Sequence, residues 1–456
     1  MEYILAASSG GDQMMASLDY SLGATASYVL SRRCATFYPS GASEAMMPGT
    51  MVSIPLTGDN FWLDPSTVYV QYTLRNANAA ASNIHLRPGT DHAGCPFSRM
   101  RVLARGVVVE DIQFYHRVHT MFRRGASNYN DQFNEQIVGF GTALENPDAP
   151  DEYATCVVPP GQQLTVQFRP LLGLLNCGKL LPLRYLGQIT LELYVASADE
   201  WLVDMGAGAV NIPGLDGNAR IRTTGWSLAA FQLKCDVCTM DTRLEQDVAK
   251  KMLDNKALDF TFPSCFTQRI ALPPNEDQPS FAITRALTRL KACYMTFARG
   301  ESNGTLCWEF LYPFRNPDRP TFPAKVNRAL SLQASIGSML VPETALDSVA
   351  GFYNAYRLAM SNGMHADTQR ATSHDVQSYQ TKKFIAGIPF ERVLGGVYKF
   401  SGLNTRSGDA LTLRWKGLLD GQAAPPNAAT ASPVMFVTLV AQQLMQVTNA
   451  GVYVYE

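Results

Sequence analysis

The chain is poor in charge and in histidine. Asp, Glu, Lys and Arg together make up 17% of its 456 residues, and acids and bases nearly cancel to a net charge of −1. A protein that binds nucleic acid or an anionic membrane through its overall charge is excluded at that balance; local basic clusters are not. The six histidines, at positions 85, 92, 116, 119, 365 and 374, offer few metal ligands. No run of about 18 apolar residues occurs, so no membrane-spanning helix is expected. A phosphate loop of the Gly-x4-Gly-Lys-Ser/Thr type is missing as well. The nine cysteines are odd in number and follow no small-domain framework spacing, which favours reduced thiols in an intracellular setting. Their one tight pair, Cys235 and Cys238, has no second pair or paired histidines at zinc-site spacing and is read as incidental rather than metal-binding or redox-active. The start, Met1 to Gly10, is too short and too early in acidic residues for a signal peptide.

What is present points to β structure. The chain is 46% hydrophobic with 34 Gly and 26 Pro, the balance of a turn-rich all-β protein, and its length calls for roughly two domains of about 200 residues each. Residues 1–30 are small, Gly/Ser/Ala/Met-rich and weakly periodic, and read as an arm without its own core. Strand signals begin at Thr36. Val52 to Leu56 leads through a turn at Thr57 to Asn60 into an alternating strand with Val68, Val70, Tyr72 and Leu74 on one face and Tyr69, Gln71, Thr73 and Arg75 on the other. Met100 to Val109 predicts a hairpin turning at Arg105-Gly106. A short helix is predicted from Asp111, with Ile112, Tyr115, Val118 or His119, and Phe122 on one face and Arg123 and Arg124 at its C-terminal end. Alternating strands follow at Leu164 to Phe168, Gln188 to Val195 and Phe231 to Val237, with loops at 170–183 and 203–225. Thr242 to Glu245 has capping-box spacing, and Leu244, Val248 and Met252 continue one helical face.

The pattern then returns. Leu258 to Ser264 echoes Phe37 to Ser40, Thr267 to Leu272 echoes Val52 to Leu56, and the alternation from Leu290 to Arg299 takes the place of Val68 to Arg75. A helix with Leu346, Val349, Ala350, Tyr353, Tyr356 and Met360 in one stripe is inserted before a polar loop at 361–383. Phe384 to Phe390, Val397 to Phe400, Leu411 to Lys416, Val434 to Val440 and Val452 to Tyr455 complete the strands, with Gly402 to Gly408 read as a hairpin turn. The expected fold is all-β, two tandem eight-stranded jelly rolls with short inserted helices: an arm at 1–30, a first roll at 31–240, a linker helix at 241–257 and a second roll at 258–456.

Candidate chemistry is sparse. His116 and His119 lie one helical turn apart but lack the Glu of a His-Glu-x-x-His site, and they read as surface histidines on a helix face. Asp59, Asp64 and Asp91 read as turn caps rather than a cation site. Arg99, Arg101 and Arg105, with Arg32-Arg33 and Arg123-Arg124, would form either a basic surface for nucleic acid or solvated strand and helix ends or subunit salt bridges, the last two being favoured. Asn303-Gly304-Thr305 is a glycosylation acceptor only on a secretory route, which the thiols argue against. No catalytic, cofactor-binding or metal-binding residue is assigned, no cofactor is expected, and the chain is not expected to be an enzyme.

Three segments resemble the double jelly-roll major capsid proteins of eukaryotic DNA viruses, above all those of polinton-like viruses, adintoviruses and virophages. Val52 to Asp64 with the strand Val68 to Leu74 is similar to that family's Ile-Pro-x-x-x-Asp-x-Tyr-x-Asp-Leu entry to the first roll, with Phe61-Trp62 standing where a Tyr is usual. Ser280 to Lys291 resembles the equivalent part of the second roll, and Phe400 to Asp409 resembles the family's Phe-x-Gly-Leu-Asn-Thr-x-x-Gly turn, the most specific of the three. The likeness covers about residues 30–456. It implies a structural subunit that trimerises with itself into pseudo-hexagonal capsomers tiling an icosahedral virion shell. It also implies contacts with neighbouring capsomers and with penton and minor or cement proteins, assembly inside the host cell, and inner-face contact with genome or membrane through residues 1–30. The competing readings are a jelly-roll spike or carbohydrate-binding protein and, further off, a metal-dependent β-sandwich enzyme.

Overall fold

The computed structural model describes residues 28–41, 45–58, 60–82, 84–90, 92–126, 137–140, 142–143, 154–155, 158–205, 225–254, 256–273, 278–298, 310, 330–361, 379, 383–391, 402–406, 410–417 and 434–456. Sixteen strands build its two sandwiches. The first uses β1 (Val29–Phe37), β2 (Met51–Leu56), β3 (Trp62–Asn76), β4 (Phe97–Ala104), β5 (Val107–Gln113), β6 (Gln163–Phe168), β7 (Ile189–Val195) and β8 (Trp226–Met240). The second uses β9 (Leu258–Ala271), β10 (Ser280–Ile283), β11 (Leu290–Ala298), β12 (Ser331–Ile336), β13 (Met339–Leu346), β14 (Ala386–Pro389), β15 (Leu411–Lys416) and β16 (Val434–Val447). A last strand, β17 (Val452–Tyr455), folds back on β16.

Both sandwiches have one topology. In the first, the sheets run β1-β8-β3-β6 and β2-β7-β4-β5; in the second, β9-β16-β11-β14 and β10-β15-β12-β13. Each roll therefore pairs its first strand with its eighth and its second with its seventh, which is the jelly roll. Every named pairing is antiparallel and, among the described residues, stays within its own roll.

Alternation fixes which face goes inward. Val68, Val70, Tyr72 and Leu74 are buried, while Tyr69 and Arg75 are exposed. Tyr72 stands at the centre of the first core, with Phe97, Phe168 and Phe231 around its ring and its hydroxyl donating to Ala93 O at 2.6 Å. In the second core Trp415 meets Phe297 edge-on at 5.4 Å and stacks with Phe352 at 6.1 Å. The predicted hairpin at Arg105-Gly106 is present. Both turn residues have positive φ, 50° and 77°, the geometry whose twist matches the flanking strands.

Among the described residues, three helices of more than one turn are inserted: α1 (Tyr115–Ala126), α2 (Thr242–Leu253) and α3 (Val349–Ser361). Asp241, rather than Thr242, is the N-cap residue of α2, whose face buries Val248 and Met252. Helix α1 begins four residues later than expected from Asp111, because Ile112 still pairs with Met100 in the sheet. Phe114, at φ 52°, turns the chain out of the strand, and its carbonyl accepts from the amides of Arg117 and Val118.

Four other expectations are corrected. Strand β1 starts at Val29 and not at Thr36, because Val29 to Phe37 pairs along nearly all of Met240 to Leu233. Leu258 to Ala271 is one strand, so Thr267 to Leu272 is not the counterpart of Val52 to Leu56; Ser280–Ile283 holds that place. Strand β11 does not alternate between buried and wet: from Ala292 to Ala298 every residue is buried, because its outer face is covered by α1 of the first roll and, at Tyr294, by α3. Nor is Gly402 part of a hairpin joining Val397–Phe400 to β15. Both edges of β15 are occupied, by β10 and β12. Leu403 instead exchanges backbone hydrogen bonds with Leu290 at 2.9 and 3.0 Å, and the Thr405 hydroxyl accepts from the Leu287 amide. The segments 1–27, 206–224, 301–309, 392–401 and 407–409, with Asp59 and Asp91, lie outside the described residues.

At Gly402, φ is +152° and an added Cβ would sit 2.9 Å from the Arg289 carbonyl carbon. We expect Gly402→Val to cost about 1–3 kcal/mol and to lower Tm by about 2–4 °C per kcal/mol in a unit of this size. Differential scanning fluorimetry checks this, and an unchanged Tm contradicts it.

Candidate assembly surfaces and the junction between the rolls

The two rolls meet along an edge. Strand β5 is the last strand of its sheet, β9 the first of its own, and they pack side by side without ladder hydrogen bonds. From β5, Glu110 carries a carboxyl group 1% exposed into this seam. Its oxygens accept from the amides of Gly173 at 2.9 Å and Leu174 at 3.3 Å. Burial pushes the Glu110 pKa up to about 7, against the lowering effect of those two amides and of Ser264 on β9. Gly173 is required here by close approach: a Cβ would lie 1.7 Å from the Pro263 carbonyl oxygen. Lys179 donates to Asp259 O at 2.6 Å and closes the same seam.

Helix α1 covers the outer face of the second roll. Arg117, itself buried, donates through Nε to Thr296 Oγ1 at 3.1 Å and through Nη2 to Phe297 O at 3.0 Å. Its guanidinium lies 4.3 Å from the centre of the Phe436 ring and 5.1 Å from that of Phe310. A buried arginine persists only when its donors are used and its plane is stacked, and this one meets both conditions. Phe114 packs edge-on against Phe436 at 5.1 Å, and Phe122 against Tyr294 at 5.4 Å.

The histidines expected on the surface of α1 are inside. His116, His119 and His92 are all buried. Thr120 donates its single hydroxyl proton to His116 O at 2.7 Å, so the His92 Nε2 atom 2.7 Å away is the donor in their contact. His116 Nε2 bonds Glu200 at 3.1 Å. The amphipathic period of α1 was legible, but not that the first roll also buries its histidine face, where His119 packs on His92 and Phe168 and His116 reaches Glu200, while Arg117 and Phe122 face the second roll. Among the described residues, no three His, Cys, Asp or Glu side chains come together as a metal site.

The basic residues do not form an open patch. Arg99 pairs with Asp111, Arg101 with Glu192, and Arg32 with both Asp64 and Asp236; Arg33 lies over Phe61. Such half-exposed pairs stabilise little, but they engage Arg32, Arg99 and Arg101 within the chain. Asp64 also caps its turn through Ser66. Cys235 and Cys238 are buried thiols, and burial pushes the Cys235 pKa up to about 12. Gly300-Glu301-Ser302-Asn303-Gly304 spells the serine-hydrolase pattern Gly-x-Ser-x-Gly and lies outside the described residues.

The fold defined by these elements is the double jelly roll. Solved structures share it: a quasi-atomic model of the PBCV-1 virus capsid matches with TM-score 0.58 and 11% identity, covering 96% of this chain and 99% of that one. The Faustovirus major capsid protein matches with TM-score 0.57 and 8% identity over 94% and 92% of the two chains. The Sputnik virophage structure matches with TM-score 0.56 and 11% identity over 97% and 92%. No protein-family model and no curated protein sequence matches the chain.

The seam has a pH signature. The unfolded Glu110 carboxyl releases its proton near 4.5, whereas the folded one holds it to about 7. Its contribution to stability is therefore complete below pH 4.5 and is lost as pH rises through 7, on the order of 3 kcal/mol in all. We expect urea unfolding to show this decline between pH 5 and 8.5 and the Glu110→Gln variant to lack it. Equal slopes for the two proteins would contradict the assignment.

Proposed function

We propose that this chain is a major capsid protein, a structural subunit whose homotrimers present six jelly rolls as a pseudo-hexagonal tile of an icosahedral virion shell. The observation that carries this reading is the repeated strand order of two fused rolls, set side by side through a buried seam. The working division is a first roll at 31–240 and a second at 258–456, bridged by 241–257. Capsid proteins supply the solved structures with this fold over nearly the whole chain.

The distribution of loops supports a tile. In each roll the connections after the first, third, fifth and seventh strands emerge at one end, and those after the second, fourth and sixth at the other. The first end carries the long segments 114–162 and 196–225 of the first roll and 299–330, 347–385 and 417–433 of the second. The other end carries the two-residue turns at 105–106 and 337–338 together with the connections 169–188 and 390–410. A shell subunit whose longest connections, 114–162, 347–385, 299–330 and 196–225, gather at one end fits that asymmetry, with the rolls' sides left for lateral contacts. Neighbouring capsomers, penton and minor capsid proteins are the partners this role requires, and the virion its location. No loaded cofactor or catalytic constellation enters the role.

Light scattering on the purified chain is expected to give about 150 kDa, three times the 50.0 kDa chain, with hexagonal particles in negative stain. A monomer at every concentration would overturn the proposal.

A further inference from the structure

The covered and bare edges of the two rolls are complementary. Within the chain, β5 of the first roll meets β9 of the second, and the contact buries Val109, Glu110 and Ile112 on one side and Phe260, Phe262, Ser264 and Cys265 on the other. Strand β13 holds in the second roll the place that β5 holds in the first. Each follows a two-residue turn, Arg105-Gly106 or Gly337-Ser338, and each opens with two exposed apolar residues, Val107-Val108 or Met339-Leu340. Yet no residue of β13 is buried. Strand β1 holds in the first roll the place of β9, and no residue of β1 is buried either.

The same holds for the sheet faces. The outer face of the second roll, at Tyr294, Thr296 and Phe436, is sealed by α1. The matching face of the first roll carries Cys34, Thr36, Tyr69, Lys234 and Asp236, and Cys34, Thr36 and Tyr69 are exposed there. Helix α3, which like α1 lies between the fifth and sixth strands of its roll, leaves Asn354, Arg357 and Leu358 exposed.

We infer that β13 and the exposed face of α3 of one copy seat against β1 and the Tyr69 face of the next copy, repeating between chains the contact that β5 and α1 make with the second roll within one chain. This rests on the capsomer reading and assigns its lateral surface. A contact between unlike surfaces closes into a ring when its rotation divides the full turn and otherwise grows into a filament, so the capsomer reading requires the closing rotation here. The exposed apolar residues Val29, Leu30, Met339 and Leu340 supply the area to be buried.

The exposed thiol of Cys34 on β1 gives a direct test. The Thr344→Cys variant of the full chain is treated with a short bismaleimide and run on a denaturing gel, beside the same variant carrying Cys34→Ser. In parallel, a Met339→Lys/Leu340→Lys variant is sized by light scattering, with circular dichroism and Tm to confirm its fold. We expect a chain-to-chain cross-link that Cys34→Ser abolishes, and a folded double-lysine variant that has lost the trimer peak. A trimeric wild type with no Cys34-dependent cross-link and a trimeric double-lysine variant would overturn the assignment and leave the capsomer reading standing. A monomeric wild type would overturn that reading itself.

Discussion

An antiparallel sandwich that does not close leaves sheet edges, and the whole chain is arranged around what happens to them. An edge strand presents unpaired amides and carbonyls, which in water invite indiscriminate pairing unless they are covered, bent or charged. Each roll here has its first and sixth strands at the edges of one sheet and its second and fifth at the edges of the other. Fusing two rolls in tandem covers one fifth strand and one first strand, β5 and β9, and leaves their counterparts β13 and β1 bare. The core of each roll makes the fold stable, but the edges decide how rolls are placed relative to one another.

The covered seam explains several otherwise costly choices. Phe114 holds a positive φ, Glu110 and Arg117 are buried ionisable groups, and Gly173 lies close against the Pro263 carbonyl. Each would be unfavourable alone, by about 1–3 kcal/mol or more. Together they are mutually satisfied: Phe114 starts α1 and packs on Phe436, α1 delivers Arg117 to Thr296 and Phe297, and the turn at Gly173 offers two amides to Glu110. Buried polar groups of this sort specify one arrangement because any slip leaves a charge without partners.

Most of the strand plan was legible in the sequence, because period-two alternation and turn residues act locally. Val68 to Leu74, the Arg105-Gly106 turn and the face of α2 all follow from side-chain period and backbone freedom. What was not legible depended on the second layer. His116 and His119 looked like surface residues because a helix pattern does not report His92, Phe168 and Glu200, which distant parts of the first roll bring against them. Strand β11 looked half-wet for the same reason. Glu110 gave no signal at all: beside Asp111 it is indistinguishable from a solvated edge charge until Gly173 and Leu174 are brought to it from some sixty residues away. The Phe400 to Asp409 segment misled differently. Its glycines suit a tight turn, but Gly402 is required by the closeness of Arg289 and Leu290 and not by a hairpin.

The contrast between the seam and the bare edges is itself informative. The position of Glu110 in β5 is taken in β13 by Pro342, counting from the shared two-residue turn, and a proline has no amide to donate to a stray strand. A junction formed once, inside a folding chain, can tolerate buried charge, because those groups meet their partners as the protein folds and are not exposed again. An edge that must stay soluble before it meets another copy is better built from scattered apolar residues, a proline and a single acid, which discourage ladder pairing yet still gain from burial. On this argument the two rolls differ because one junction is made by folding and the other by association, although their strand order is the same.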